Sequence, residues 1–240
     1  MTIAYILLTV GVAVWAALVP VGKRFSDSVL RSVTVFGGAF LLGVCFLGLL
    51  PEMSEMFCFY HATKESMALL PYAAVLAGFL IQQLLGSLTA HAEHGHIESG
   101  KLKSPVVGLM IGLGLHAFLE GMPLVEPDGS VNSGLLYGIL IHNIPVSLIL
   151  VGLMTARGMG FWRVLAMLTL FGLMSPLGSL FNLMVVQPDE DTQRIIIGLV
   201  VGVLLHVSSS ILFDHKQYKF SWLNIGLIVL AFTAAFFTIH

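Results

Sequence analysis

The chain has 240 residues, of which 57% are hydrophobic and 10% charged, with a formal net charge of -2. A soluble domain carries about 25% charged residues, so the composition excludes an ordinary soluble globule and places the chain in the membrane class, with lipid around it. The slightly acidic balance argues against nucleic acid as a partner, and the two cysteines, Cys45 and Cys58, form no CxxC pair and give no reason to expect a disulfide.

A membrane-crossing helix needs about 20 apolar residues. Eight stretches meet that length: Ile3 to Val21, Val33 to Leu50, Met67 to Ala90, Pro105 to Val125, Ser133 to Ala156, Val164 to Val186, Ile195 to Phe213 and Phe220 to Ile239. They predict an all-α integral membrane protein of eight transmembrane helices, forming one domain over residues 1–240. The first stretch has no charged residue before Lys23 and Arg24, the reverse of a secretory signal peptide, so it is expected to stay as a helix. The odd-numbered loops hold Lys23, Arg24, Arg31, Lys101, Lys103, Arg157, Arg163, Lys216 and Lys219, the even-numbered ones only Lys64 and Arg194. By the positive-inside rule the odd loops face the cytoplasm and both termini lie outside, in a multi-pass protein expected in the plasma (cell inner) membrane.

The second segment is rich in glycine (Gly37, Gly38, Gly43, Gly48), which permits close helix packing and a homodimer, and it ends at Pro51 and Glu52. Glu52 reads either as an interfacial charge or as a ligand at the entrance. Gln82 and Gln83 of the third segment are expected to face the bundle interior. The following loop, residues 91–104, carries His91, Glu93, His94 and His96. Histidines clustered with a carboxylate suit labile binding of a borderline metal such as zinc in a holding or sensing loop; a solvated loop holding histidines for no such reason is the plainer alternative.

The fourth segment contains LHAFLEGMP, which sets His116 and Glu120 four residues apart, one turn along one helix face. An unpaired carboxylate at mid-membrane costs roughly 2.5 to 3.5 kcal/mol on insertion scales, so something must compensate for Glu120. His116 lies eleven residues past Pro105, about 16 Å into its helix, and His142, in the IHNIP stretch of the fifth segment, nine past Ser133, about 13 Å into a helix that enters from the other side. In a core about 30 Å thick these depths coincide, so His116, Glu120, His142 and Asn143 are expected to converge at the midplane between antiparallel neighbours. Pro123 and Pro145 should each kink their helix and bare the carbonyls of Leu119 and Ile141 near the cluster. Ser175 and His206 fall at similar depth in the sixth and seventh segments; His206 reads as a histidine hydrogen-bonded across helices or as a metal ligand. Asp214 and His215, at the cytoplasmic end of the seventh segment, read as interfacial or capping groups or as receivers of an ion on its way out.

Imidazole with carboxylate suits Zn2+, Fe2+, Mn2+ or Cd2+, and the want of a thiolate argues against copper(I) or mercury. No organic cofactor is expected. These features resemble the ZIP (Zrt-, Irt-like) family of divalent metal transporters: eight helices with both termini out, a histidine-bearing loop between helices three and four, HAFLEG in helix four and HNIP in helix five. FGGAFLLGVCFLGLLPE is similar to that family's second helix and SPLG at Ser175 to its sixth-helix EPLG. The resemblance implies a ZIP-like bundle in which His116, Glu120, His142 and Asn143 hold the metal. Departures accompany it. Val146 and Ser147 stand where the family commonly continues HNIPEG, Ser175 where it often has Glu, Gly48 where it often has His and Ala117 where it often has a polar residue, so a single metal site is expected rather than a two-metal centre. The leading expectation is an importer of divalent metal, zinc first. The alternatives are an intramembrane zinc hydrolase, with His116, His142 and His206 as ligands and Glu120 as base, and a metal sensor without flux.

Overall fold

The computed structural model describes residues 9–12, 14, 27–54, 69–94, 105–126, 128–213 and 221–239, with the backbone alone at 27, 30, 88–94 and 105–107. The helices are α1 (Asp27–Val44), α2 (Leu70–His94), α3 (Pro105–Gly121), α4 (Ser133–Ala156), α5 (Phe161–Phe181), α6 (Glu190–Phe213) and α7 (Trp222–Ile239). They correspond to the second through eighth predicted segments. The first segment lies almost wholly outside the described residues, and residues 9–12 and 14 within it are helical. Among the described residues there is no strand, only one isolated bridge, Val125 to Val131.

Six of the helical spans are long and apolar enough to cross a membrane: Arg31–Ser54, Leu70–Ser87, Ser133–Ala156, Phe161–Val186, Glu190–Phe213 and Trp222–Ile239; Gly108–Leu124 is a shorter apolar helix. Their outward faces carry large apolar side chains, with Leu76 69%, Trp162 77%, Trp222 79% and Phe237 76% exposed. Water does not tolerate so continuous an apolar surface, whereas hydrocarbon does, and helices satisfy every backbone polar group within the segment. The chain is therefore an all-α, multi-pass membrane protein.

Local chemistry sets where the helices begin and end. Asn132 caps α4 by accepting from the Leu135 N–H at 3.0 Å, and Asp189 caps α6 by accepting from the Thr192 N–H at 2.9 Å. α3 stops at Gly121, earlier than expected, and passes into a 3-10 turn at Met122–Leu124. Pro123 lies in that turn, so it ends the helix instead of kinking it; having no N–H, it fits where the ladder has already stopped. Pro145 does lie inside α4. The carbonyl of Ile141 that it leaves free meets α1, where a Cβ on Gly37 would sit 3.6 Å from that oxygen. Two π-helical turns, Cys45–Leu49 after α1 and Asn182–Val186 after α5, had no visible sign in the hydropathy pattern.

Two helix pairs come together backbone to backbone. α2 and α6 pack most extensively: a Cβ on Gly78 would strike the Leu199 backbone, and one on Gly202 the Val75 backbone. α3 and α5 make the same kind of reciprocal approach, Gly121 against Ser175 and Gly178 against Phe118. α3 and α4, joined by a short link, touch much less along their backbones than either pair. The glycine-rich α1 is the centre of the bundle, packed on α4, α6 and α7 with Ala39, Leu41 and Val44 fully buried. Its Gly38 faces Ile211 and its Gly43 faces Ala235. These two glycines thus serve packing inside the chain.

The buried side chains form two apolar cores. One gathers α1, α6 and α7 around Leu135 and Ile139 of α4; the other gathers α3 and α5 around Leu150, Val151 and Met154, further along the same helix. α4 thus runs from one core into the other, and His142 and Asn143 fall at the change-over.

The glycine contacts predict unequal costs for one small substitution. Gly202→Ala overpacks the α2–α6 contact and should destabilise the bundle by about 1–3 kcal/mol. Gly152→Ala, on a face of α4 with nothing within 4 Å, should be neutral or gain up to about 1 kcal/mol of helix propensity. Unfolding in mixed micelles titrated with SDS measures both; equal effects would contradict the packing.

Candidate metal centre

α3 carries His116 and Glu120 on one face, and α4 brings His142 across to them. One ligand atom from each of the three lies within 4.8 Å of the others. His116 and His142 are each 4% exposed and Glu120 is 0% exposed. The imidazole rings meet nearly edge to face, with centroids 6.0 Å apart and planes at 78°. His116 Nε2 and the Glu120 Oε1 stand 2.9 Å apart.

The other ring nitrogen of His116, Nδ1, lies 3.1 Å from the Gln82 Oε1 of α2; a neutral ring that donates from Nδ1 to that carbonyl turns the lone pair of Nε2 toward the carboxylate. Neither Nε2 nor either Glu120 oxygen makes a directed hydrogen bond, and His142 Nδ1 is likewise buried without a partner. Two lone pairs held this close are comfortable only around a proton or a cation. Leaving a buried donor or acceptor unsatisfied costs about 1–3 kcal/mol, more for a charged group, so the cluster is poised for an electrophile. Zinc takes nitrogen and carboxylate oxygen at about 2.0–2.2 Å, so its ligands stand roughly 3.5 Å apart, within a small side-chain adjustment of the observed spacing. Two neutral imidazoles and one carboxylate fit a hard-to-borderline divalent ion and offset half of its charge.

The remaining expected residues are placed unequally. Asn143 is buried, 2% exposed, and projects about 100° around α4 from His142. Ser175 lies on α5 with its backbone against Gly121, one residue beyond Glu120, and its hydroxyl, like that of Ser147, is buried without a partner. Val146 and Ala117 both pack in the second apolar core and offer no donor. His206 stands outside the three-atom cluster, its ring edge-on to Phe79 of α2 at 4.8 Å and its Nδ1 buried without a partner. It lines a cavity of about 350 Å3 with Phe79, Ser209, Ser210 and Phe213. Of the two glutamines, Gln82 turns inward as expected; Gln83 is exposed, a correction that follows from the 100° between successive residues of a helix. His91 and His94 end α2 without described side chains, and His96, Asp214 and His215 lie outside the described residues.

Glu52 belongs to a polar arrangement at the end of the bundle where α1 finishes and α4 starts. It accepts from Asn132 Nδ2 at 3.1 Å and shares a cavity of about 350 Å3 with Glu126 and Asn132. Glu126 accepts from Gln193 Nε2 at 3.4 Å, and Gln193 Oε1 in turn accepts from Asn182 Nδ2 at 2.9 Å. Glu126 is one of the acids of the even-numbered loops, whereas Gln193 and Asn182 escaped sequence reading, although polar side chains near helix ends were the available signal. Burial raises the Glu126 carboxyl above its ordinary value of 4.5, against the lowering effect of its hydrogen bonds from Gln193 and Asn132.

The helical membrane bundle thus converges two histidines and a glutamate on one buried point that could hold a cation. The sequence match narrows that class: residues 87–236, well over half of the chain, match the model of the ZIP zinc transporter family. The chain belongs to that family. α1 lies ahead of the matched region. A search of curated proteins returns no match.

Glu126 yields a pH prediction. An acid whose pKa rises on folding favours the folded state below its unfolded pKa and loses that contribution as pH rises through the folded pKa. Glu126→Gln keeps an acceptor for Gln193 without the buried charge. It should therefore be more stable than the parent near pH 7.5, by under about 1 kcal/mol because the group is part-exposed, with the difference fading as pH falls through the raised value. Thermal midpoints of the two proteins across pH 4 to 8 test it; a difference that grows toward acid would refute it.

Proposed function

We propose that the chain carries a divalent metal cation across the membrane, zinc first among Zn2+, Cd2+, Fe2+ and Mn2+, toward the cytoplasm, through His116, Glu120 and His142, with Asn143 beside them. The supporting observation is the buried three-donor cluster with its unpartnered atoms, in a chain of a transporter family. A site this small strips part of an ion's hydration shell and replaces it with three donors, while a net charge of one on the protein side keeps release feasible. The charge asymmetry of the loops supports an outer face that bears both termini and the Glu52 cavity, where Glu52 and Glu126 would meet an incoming ion first. On the same reading the domain is single, His206 with its cavity lies on the inner route followed by Asp214 and His215, Ser175 flanks the site, and the loop of His91, His94 and His96 holds metal on the cytoplasmic side.

The hydrolase alternative finds no support in the geometry. It needs His206 as the third ligand, but that ring stands against Phe79, and Glu120 occupies the third donor position instead of standing off as a base.

Zinc uptake into liposomes carrying the purified protein, read by a trapped indicator, tests the proposal beside Glu120→Ala and His142→Ala. Wild type should take up zinc. Glu120→Ala should lose uptake and weaken equilibrium binding by more than the roughly 10–100-fold typical of a lost outer hydrogen bond, and His142→Ala should do likewise. Absence of flux for all four metals with binding retained would end the transporter reading in favour of a sensor.

A further inference from the structure

His116 is the member of the cluster whose far nitrogen is claimed by another helix. Gln82, half-buried, is on α2, which does not supply a ligand, and its carbonyl sits 3.1 Å from His116 Nδ1. Its place on α2 is rigidly determined. Gly78, one turn earlier on the same stripe, lies against the Leu199 backbone, and Val75 on that stripe meets Gly202. Phe79 beside them packs on His206 of α6. The amide is thus mounted on the α2–α6 pair, while His116 and Glu120 are mounted on the α3–α5 pair, itself locked by Gly121 and Gly178.

A ligand imidazole that donates its other N–H to a carbonyl has its tautomer and ring orientation set and its basicity toward metal raised. We propose that Gln82 is a positioning residue for the ion: its carbonyl holds His116 as the Nδ1–H tautomer with Nε2 turned to Glu120 and His142, and so ties ion affinity to how the α2–α6 pair sits against α3. The tie is sensitive. A displacement of about half an ångström between the two pairs takes 3.1 Å past hydrogen-bonding reach. With the hydrogen bond intact Nε2 is presented as a fixed donor; with it broken the ring is free to rotate and either nitrogen can carry the proton, so the ion is held less tightly. This inference rests on the proposed metal site and adds to it a means by which helix movement changes affinity.

The test pairs two variants expected to act in opposite directions. Gln82→Met conserves volume and removes an amide from an apolar bundle, so folding is preserved. It should weaken zinc binding, measured by calorimetry on the detergent-solubilised protein, by about 10–100-fold and raise the KM of uptake by a similar factor. Gln82→Glu offers a carboxylate acceptor and should bind zinc at least as tightly as wild type, with a lower maximal rate because release slows. Glu120→Ala runs alongside. If both Gln82 variants bind as wild type while Glu120→Ala does not, the positioning role is overturned and the metal site stands. If both lower the maximal rate alike with KM unchanged, Gln82 is merely structural and the proposal fails. If Glu120→Ala binds zinc as wild type, the site itself is misplaced and the role of Gln82 falls with it.

Discussion

A carboxylate with no exposed surface, in the middle of an apolar bundle, is the constraint on which the rest of this structure depends. Glu120 costs roughly 2.5 to 3.5 kcal/mol to insert on translocon scales unless its charge is met, and no lysine or arginine comes near it among the described residues. Beside it stand two imidazoles, one from its own helix a turn away and one from α4, and the three groups together could hold a cation that meets its charge. Their arrival is a matter of backbone geometry. α3 is held to α5 by reciprocal glycine contacts, α4 is pinned to α1 where Gly37 accommodates the carbonyl freed by Pro145, and the two cores on either side leave α4 to deliver His142 at their junction. Apolar packing provides the free energy and the polar cluster consumes some of it.

The same arrangement explains why the site is limited to three strong donors. Val146 follows Pro145 and faces the apolar core that also contains Ala117, so the direction in which a second ion would find ligands is filled with hydrocarbon. Ser147 and Ser175 put hydroxyls in buried positions without partners, but a hydroxyl is a weak donor to a divalent ion and carries no charge. The charge balance is correspondingly lean. One carboxylate against two positive charges would leave a loaded site net positive in a medium that screens poorly, which would disfavour tight retention of an ion and a second ion beside it.

Much of this was legible in the chain before any coordinates. Long apolar runs mark the helices because a spanning segment has few other solutions, and the four-residue spacing of His116 and Glu120 places them on one face whatever surrounds the helix. His142 could be matched to His116 in depth because rise per residue is fixed. The partners of each helix could not be read. A short link between α3 and α4 suggests close neighbours, yet the tight pairs are α2 with α6 and α3 with α5, selected by single glycines whose backbone contacts leave no trace in hydropathy. Pro123 illustrates a second limit, since a proline either kinks a helix or ends one and tertiary contacts decide which. Gln82 and Gln83 illustrate a third: both looked inward, and rotation about the helix axis separates one from the other.

The loose contact between α3 and α4 carries a consequence for any ion that binds there. Along their backbones these helices have little to hold them together, and at their closest functional approach they present unpartnered atoms to each other. An ion in that gap would supply the missing interaction, drawing one ligand atom each of His116, Glu120 and His142 to one centre. Ligand binding can shift a conformational equilibrium only by its differential affinity for the two states. On the proposed reading the donors are divided between two helices, so a motion that separates the faces of α3 and α4 carrying His116 and His142 would dismantle the site. Binding and movement would then share one coordinate: the distance between the faces of α3 and α4 that carry His116 and His142.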